Sequence, residues 1–168
     1  MRPSRRAPKA ADMARLANTL VAAGDPPPVY AALERLCGET IGHRLFTIMR
    51  FDPDRAEVER VHSSLPTVYP VGGRKRKKDT AWSNHVLGAM KVFRATEPAG
   101  IRAAFDDYET ILGLGLGSVL NIPVVSGGRC VGTMNLLHGP GWYRPQDEAT
   151  GLRLGAFLIP ALLTGRSI

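Results

Sequence analysis

GLGLGSVLNIPVVSGGRCVGTMNLLH, residues 113–138, reads as two β-strands and the tight turn between them. The first strand is 118–125 and the second 130–138, with Ser126, Gly127, Gly128 and Arg129 between them. Paired glycines supply the positive φ that a hairpin turn requires. Successive strand residues face opposite sides of a sheet. Leu120, Ile122 and Val124 therefore share one face with Met134, Leu136 and His138, and Asn121, Thr133 and Asn135 share the other. A solvated sheet face usually carries Lys, Glu and Arg. Here the polar face carries only small hydrogen-bonding groups among apolar neighbours, the pattern of a partly enclosed cavity.

Working outward, 10–23 has the spacing of an amphipathic helix, with Met13, Leu16, Leu20 and Val21 inward. Asp25 and the prolines that follow stop it and open a second helix running to about Ile41, with Tyr30, Leu33, Leu36, Cys37 and Ile41 inward. Residues 43–51 and 56–63 form a hairpin across Asp52-Pro53-Asp54-Arg55. Residues 64–78 read as an irregular loop, and such long loops are usually functional or mobile. A helix to about Ala89, a short strand 91–95 and two short helices, 98–105 and 107–112, lead to the hairpin. Gly113, Gly115 and Gly117 lack a Walker lysine and precede a strand, so they serve as a tight lead-in and not a phosphate loop. The last helix is 146–163, with Ala149, Leu152, Ala156, Phe157 and 159–163 inward and Pro160 kinking or shortening it. Strands come as hairpins and not as βαβ crossovers. The expected class is α+β, with terminal helices on the oily face of an antiparallel sheet and loops and short helices closing over the other.

The chain has 168 residues and a net charge of +7, which suits one folded unit. Arg2, Arg5, Arg6 and Lys9 lie in a tail, residues 1–9, expected to be disordered, and residues 10–168 form the single domain. Arg74, Lys75, Arg76, Lys77 and Lys78 lie in the irregular loop. Without these nine charges the chain stands at −2, so the basic character belongs to a tail and a loop. The loop cluster reads as a solvated, mobile segment, with Arg74 the candidate to fold over an anionic ligand. No helix-turn-helix, zinc or RNA-binding signature accompanies it, so nucleic acid is not an expected partner. No run is long and apolar enough to span a bilayer, and no secretory signal is visible. Cys37 and Cys130 match no metal or CxxC spacing and read as buried thiols in a reducing cytoplasm. The histidines show no ligand spacing, so no metal site is expected. GxSxG, HExxH and Ser-His-Asp patterns are absent, and adjacent Asp106 and Asp107 read as a capping pair.

The hairpin SVLNIPVVSGGRCVGTMNLLH and the earlier stretch VYAALERLCGETIGHRLFTIMRFDPDRAEVERVHSS resemble the GAF domain, a small-molecule sensory module related to the PAS domain. The resemblance spans residues 27–164. It implies a central antiparallel sheet of five or six strands with helices behind it. It also implies a pocket on the other side, roofed by the segment between the second strand and the hairpin. Members of the family bind cyclic nucleotides, bilins, haem, amino acids or 2-oxoacids, so the fold does not name the ligand. The roof segment here holds no cysteine for bilin attachment, and the NKFDE-type motif of cyclic-nucleotide binders is not evident. Nor does the roof offer thiols of the kind a free methionine sulfoxide reductase of this family uses; that enzyme is the alternative reading, beside a purely structural interaction module.

The expected function is non-enzymatic: binding of an unidentified small organic ligand and signal transduction through a partner or a homodimer. The dimer contact would use the terminal helices, 10–23 with 146–163. Candidate ligand residues are Asn121, Thr133 and Asn135 on the pocket floor, with Thr47 and Met49 from the first strand. Tyr69, Trp82, His85 and Tyr108 would form an aromatic lid with polar tips; Trp82 and His85, three apart on a helix, would share a face.

Overall fold

The computed structural model describes residues 5–164. Helices α1 (Ala10–Ala22) and α2 (Pro27–Thr40) lead into strands β1 (Leu45–Asp52), β2 (Glu57–Ser63) and β3 (Gly72–Arg76). Helix α3 (Ala81–Ser83) runs directly into a π-helical turn, Asn84–Gly88. Then come β4 (Phe93–Ala95), α4 (Pro98–Ala104), α5 (Tyr108–Gly113), β5 (Ser118–Ser126), β6 (Arg129–His138), α6 (Pro145–Gly155) and α7 (Leu158–Leu163). The six strands form one sheet in the order β3-β2-β1-β6-β5-β4, every neighbouring pair antiparallel.

The two faces of this α+β sheet differ as the hairpin's alternation requires. Leu120, Ile122, Val124, Met134 and Leu136 join Phe46 and Ile48 in the main core, against Leu16, Leu33 and Cys37 from the first two helices and Leu154, Leu158 and Leu162 from the last two. On the opposite face Val119 and Leu137 pack with Leu45, Ile101, Ile111 and Leu116. The sheet thus stands between a layer of terminal helices and a layer of short helices and loops.

Three expectations give way, and the effect expected of Pro160 goes as far as a break. The stretch 64–78 is not structureless: β3 pairs with β2 as an edge strand, and its five residues are all exposed. Glycine pairs and a charge run carry no hydrophobic periodicity, so the pattern that marks buried strands was missing. The final helix breaks in two between Gly155 and Leu158. Pro160 has no N–H for the Ala156 carbonyl and its ring crowds that carbonyl, so the break falls one turn upstream of the proline. Ala149, Leu152 and Ala156 are exposed, and the buried side of α6 is Asp147, Gly151, Leu154 and Gly155. A Cβ on Gly151 would lie 2.6 Å from Ile122 Cδ1, so the helix seats against the sheet through glycines that an apolar pattern overlooks. Val21, expected inward, is 88% exposed, and Asp12 occupies the buried side of α1 instead.

The amino-terminal residues also differ from a free tail. Arg5 pairs with Asp147 at 2.8 Å, donates to the Trp142 carbonyl at 2.7 Å and lies over the Trp142 ring. Arg6 pairs with Asp12 and Glu39. These contacts hold part of the segment against the helix layer; residues 1–4 lie outside the described residues.

Candidate functional site

The register of the sheet sets out the floor of a cavity. Phe93, Asn121, Asn135, Thr47 and Ser63 are successive cross-strand partners on β4, β5, β6, β1 and β2, so they form one row on one face. The three central members are buried, with Asn121 only 2% exposed. Buried amides need partners, and these have them. Trp82 Nε1–H donates to Asn121 Oδ1 at 2.9 Å, and Asn121 Nδ2 donates to Asn135 Oδ1 at 2.8 Å. Asn135 Nδ2 then donates to Thr47 Oγ1 at 3.3 Å and to Thr133 Oγ1 at 3.1 Å. An indole N–H is a donor only, so Trp82 fixes which way round each amide stands. The same bond ties α3 of the roof to the floor.

The next row is Pro123, Thr133, Met49 and Arg60. Arg60 owes its place to irregular pairing. Along β1, Thr47 faces Ser63 and Ile48 faces His62, but Met49 faces Arg60 and the ladder passes over Val61. The β2–β3 ladder also shifts at Arg60. A bulge adds a residue to one strand and turns the side chains beyond it to the other face. Val61 therefore packs on the helix side, while Arg60 turns to the cavity.

The cavity holds about 230 Å³. Leu45, Thr47, Met49, Arg60, Asn121, Asn135 and Leu137 supply its sheet side, and Tyr69, Trp82, Phe105, Asp107 and Ile111 its roof. Trp82 and Phe105 rings stand 6.0 Å apart and Phe105 meets Phe93 edge-on at 6.2 Å, giving the roof aromatic walls. Tyr69 donates its hydroxyl to Asp107 at 2.9 Å, and Arg60 lies 5.1 Å over the Tyr69 ring. Arg60 Nη1 donates to the Pro70 carbonyl at 3.2 Å, while its buried Nε has no partner among the described residues. Burial lowers the Arg60 pKa, and the neighbouring Tyr69 and Asp107 oppose that shift. Burial, reinforced by the Asp107 carboxylate, raises the Tyr69 phenol, which stays protonated and donating at neutral pH.

No family model matches the sequence, and no curated protein matches it. Solved structures do. The GAF domain of a phosphoenolpyruvate-protein phosphotransferase from Acinetobacter superposes with a TM-score of 0.73 over 94% of this chain and 96% of that one, at 11% identity. Its counterpart from Coxiella burnetii gives a TM-score of 0.71 over 92% and 95%, at 14% identity. The chromophore-binding domain of an unusual bacteriophytochrome from R. palustris gives 0.68 over 95% of this chain and 64% of that one, at 11% identity. This chain has the GAF fold.

Within this GAF fold the cavity brings together Thr47, Tyr69, Trp82, Asn121 and Asn135, as well as Met49. Thr133 stands one hydrogen bond behind, accepting from Asn135. His85 and Tyr108 are not among the lining residues. The winding changes from α to π at Asn84, so three-residue spacing no longer sets His85 beside Trp82. The His85 ring instead bonds the Val92 carbonyl at 2.9 Å and meets Phe93 edge-on. Tyr108 packs beside the Ile101–Ile111 cluster. Arg74 lies exposed on β3 with Glu59 3.7 Å away, and Arg60 is the basic residue at the cavity. Asp107 stands at the N-cap of α5, but its side chain makes no capping bond and holds Tyr69 instead, while Asp106 pairs with Lys78. Leu45, Arg60, Phe105, Asp107, Ile111 and Leu137 were not expected in the site. Strict alternation along β2 would have put Val61 at the cavity and Arg60 behind it, and only the bulge reverses them.

Proposed function

We propose that this chain is a non-enzymatic sensory domain that binds a small organic molecule between the sheet and the short-helix roof. The observation that carries the reading is the buried Asn121–Asn135–Thr47 row opening on an aromatic-walled cavity. A face that served only to pack would be apolar, because each buried amide must be hydrogen-bonded to be tolerated. A volume of about 230 Å³ falls below the ~300–1,000 Å³ of drug-sized ligand sites, so the ligand is a small metabolite and not a large chromophore. The bacteriophytochrome neighbour holds a chromophore in the same fold, which supports ligand binding at this level alone.

Neither cysteine lines the cavity. Cys37 is buried among the helix-side core, and burial raises its thiol pKa far from the reactive range. Cys130 packs with Phe51, Val86 and Leu87. This supports binding over thiol catalysis, and two buried free thiols suit a cytoplasmic setting. No helix among the described residues is long and apolar enough to cross a membrane. Signal output would pass to a partner or a second copy through the terminal helices, where Val21, Leu152 and Leu163 are exposed.

Thermal unfolding of the full chain against nucleotides, amino acids and oxoacids tests the reading. A ligand present at a hundred times its Kd stabilises by about 2.7 kcal/mol, or roughly 5–10 °C in a chain of this size. Trp82→Ala should remove that shift. A panel with no shift at all would leave a structural interaction module as the better account.

A further inference from the structure

The two edges of the sheet are unlike. β4 is three residues long and half-buried, and its Arg94 pairs with Glu148 of α6. β3 is five residues long, exposed throughout, and ends the strand order. The Lys77 N–H bonds the Ala56 carbonyl at 2.7 Å, so Lys77 and, two residues away, Lys75 turn their backbone groups toward β2. Arg74 and Arg76 alternate with them and turn theirs outward, where an edge strand offers N–H and C=O groups to another chain. The side chains add charge to this ladder. On the inner side β2 sets Glu57 opposite Arg76, Val58 opposite Lys75 and Glu59 opposite Arg74. Glu59 lies 3.7 Å from Arg74 and also pairs with Arg50, and Lys78, just beyond the strand, pairs with Asp106. Lys75, Arg76 and Lys77 hold no ion pair among the described residues.

From this we infer that β3 is a docking edge for an extended acidic segment of a partner protein, which joins the sheet as a further strand with carboxylates at alternate positions, opposite Arg74 and Arg76. The inference stands apart from the ligand of the cavity. In strand addition the main-chain bonds supply affinity and the side chains at alternate positions supply specificity. The inner neighbour already shows the matching pattern, Glu-Val-Glu against Arg-Lys-Arg, and opposite charges directly across a strand pair are stabilising while like charges are not. The charge that repels the β3 of a second copy thus selects an acidic strand. A phosphate backbone is the other polyanion that such a run attracts. Phosphates only accept, so they match the guanidinium groups and the outward N–H groups but not the outward carbonyls that alternate with them. A peptide backbone matches both.

Fluorescence anisotropy on the full chain tests this with a labelled peptide, Ser-Thr-Glu-Val-Glu-Thr-Ser. The chain should bind it, and replacing both glutamates of the peptide by glutamine should weaken binding by about tenfold. N-methylation of the same two glutamates keeps their charge and removes the N–H groups that face β3, and it should weaken binding by about tenfold or more. Amide hydrogen exchange gives the register: saturating peptide should slow the Arg74 and Arg76 amides by about tenfold or more and leave the Lys75 amide, already turned inward, unchanged. Changing Arg74 and Arg76 together to Glu should abolish binding of the acidic peptide and admit Ser-Thr-Lys-Val-Lys-Thr-Ser in its place. The peptide series tests the inference even where that double variant does not fold. Absence of binding overturns the inference. So does binding that N-methylation leaves unchanged, which would be adhesion of charge without strand pairing. A twelve-residue oligothymidylate that binds more tightly than the peptide at the same salt concentration also overturns it, in favour of a nucleic-acid contact.

Discussion

Asn121 lies between a donor above and an acceptor beside it, and no apolar residue of its size satisfies either. Asn121→Leu keeps the volume but strands the Trp82 indole N–H and the Asn135 carbonyl oxygen. Each buried polar atom left unpaired costs about 1–3 kcal/mol, so urea unfolding should show a loss of about 2–6 kcal/mol. A variant as stable as the parent would mean that the chain of amides does not tie roof to floor. His43 offers a second test, in pH. Its ring bonds the Glu34 carbonyl, and burial lowers its pKa below the usual histidine value. Glu34 opposes that shift and His62 adds to it. A depressed histidine contributes stability above its unfolded pKa of ~6.5 and loses it as the pH falls through that range. Stability should therefore drop between pH 7.5 and 5.5, and His43→Gln should flatten the drop. An equal drop in both chains would place the sensitivity elsewhere.

Among the elements, legibility in the sequence followed local chemistry. The hairpin 113–138 was plain because its two faces differ in kind, and the register that it implies put Asn121 opposite Asn135. The floor was therefore readable one strand pair at a time. The roof was not, since Phe105, Asp107 and Ile111 reach the cavity from loops and short helices whose placement depends on packing. Arg60 was hidden by the bulge, and β3 by the lack of any apolar residue from Gly72 to Arg76. That lack has a use. An edge strand offers unpaired backbone groups to other chains, and charged side chains discourage the pairing. Changing Arg74, Lys75 and Arg76 together to Thr should leave the melting temperature nearly unchanged, because all three are exposed. It should also produce concentration-dependent association in gel filtration and light scattering. A triple variant that stays as dispersed as the parent would remove the protective role of this edge.

At the scale of the whole molecule, the amino-terminal residues join elements far apart in the chain. Arg6 bridges Asp12 at the start of α1 and Glu39 near the end of α2. Arg5 reaches the opposite terminus, where it meets Asp147 at the start of α6 and lies over Trp142, which stacks on His138 at 3.5 Å. Trp142 in turn donates to the Ile41 carbonyl and fills the space beside Gly42. One guanidinium thus braces the junction of the hairpin, the second helix and the terminal helix pair, behind the sheet whose other face holds the cavity. Both partners of the Arg5–Asp147 pair are 8% exposed at the side chain, so solvent screens it little. Arg5→Ala leaves Asp147 with the Arg144 backbone N–H alone. Breaking one side of a buried pair costs ~3–5 kcal/mol, and the remaining N–H bond places this one near the lower end. About 3 kcal/mol corresponds to a melting temperature lower by roughly 6–12 °C at this chain length. The loss should persist at high salt, as a surface attraction would not. Calorimetric unfolding at low and high salt measures both, and an Arg5→Ala chain that melts with the parent would show that the segment rests on the helix layer without bracing it.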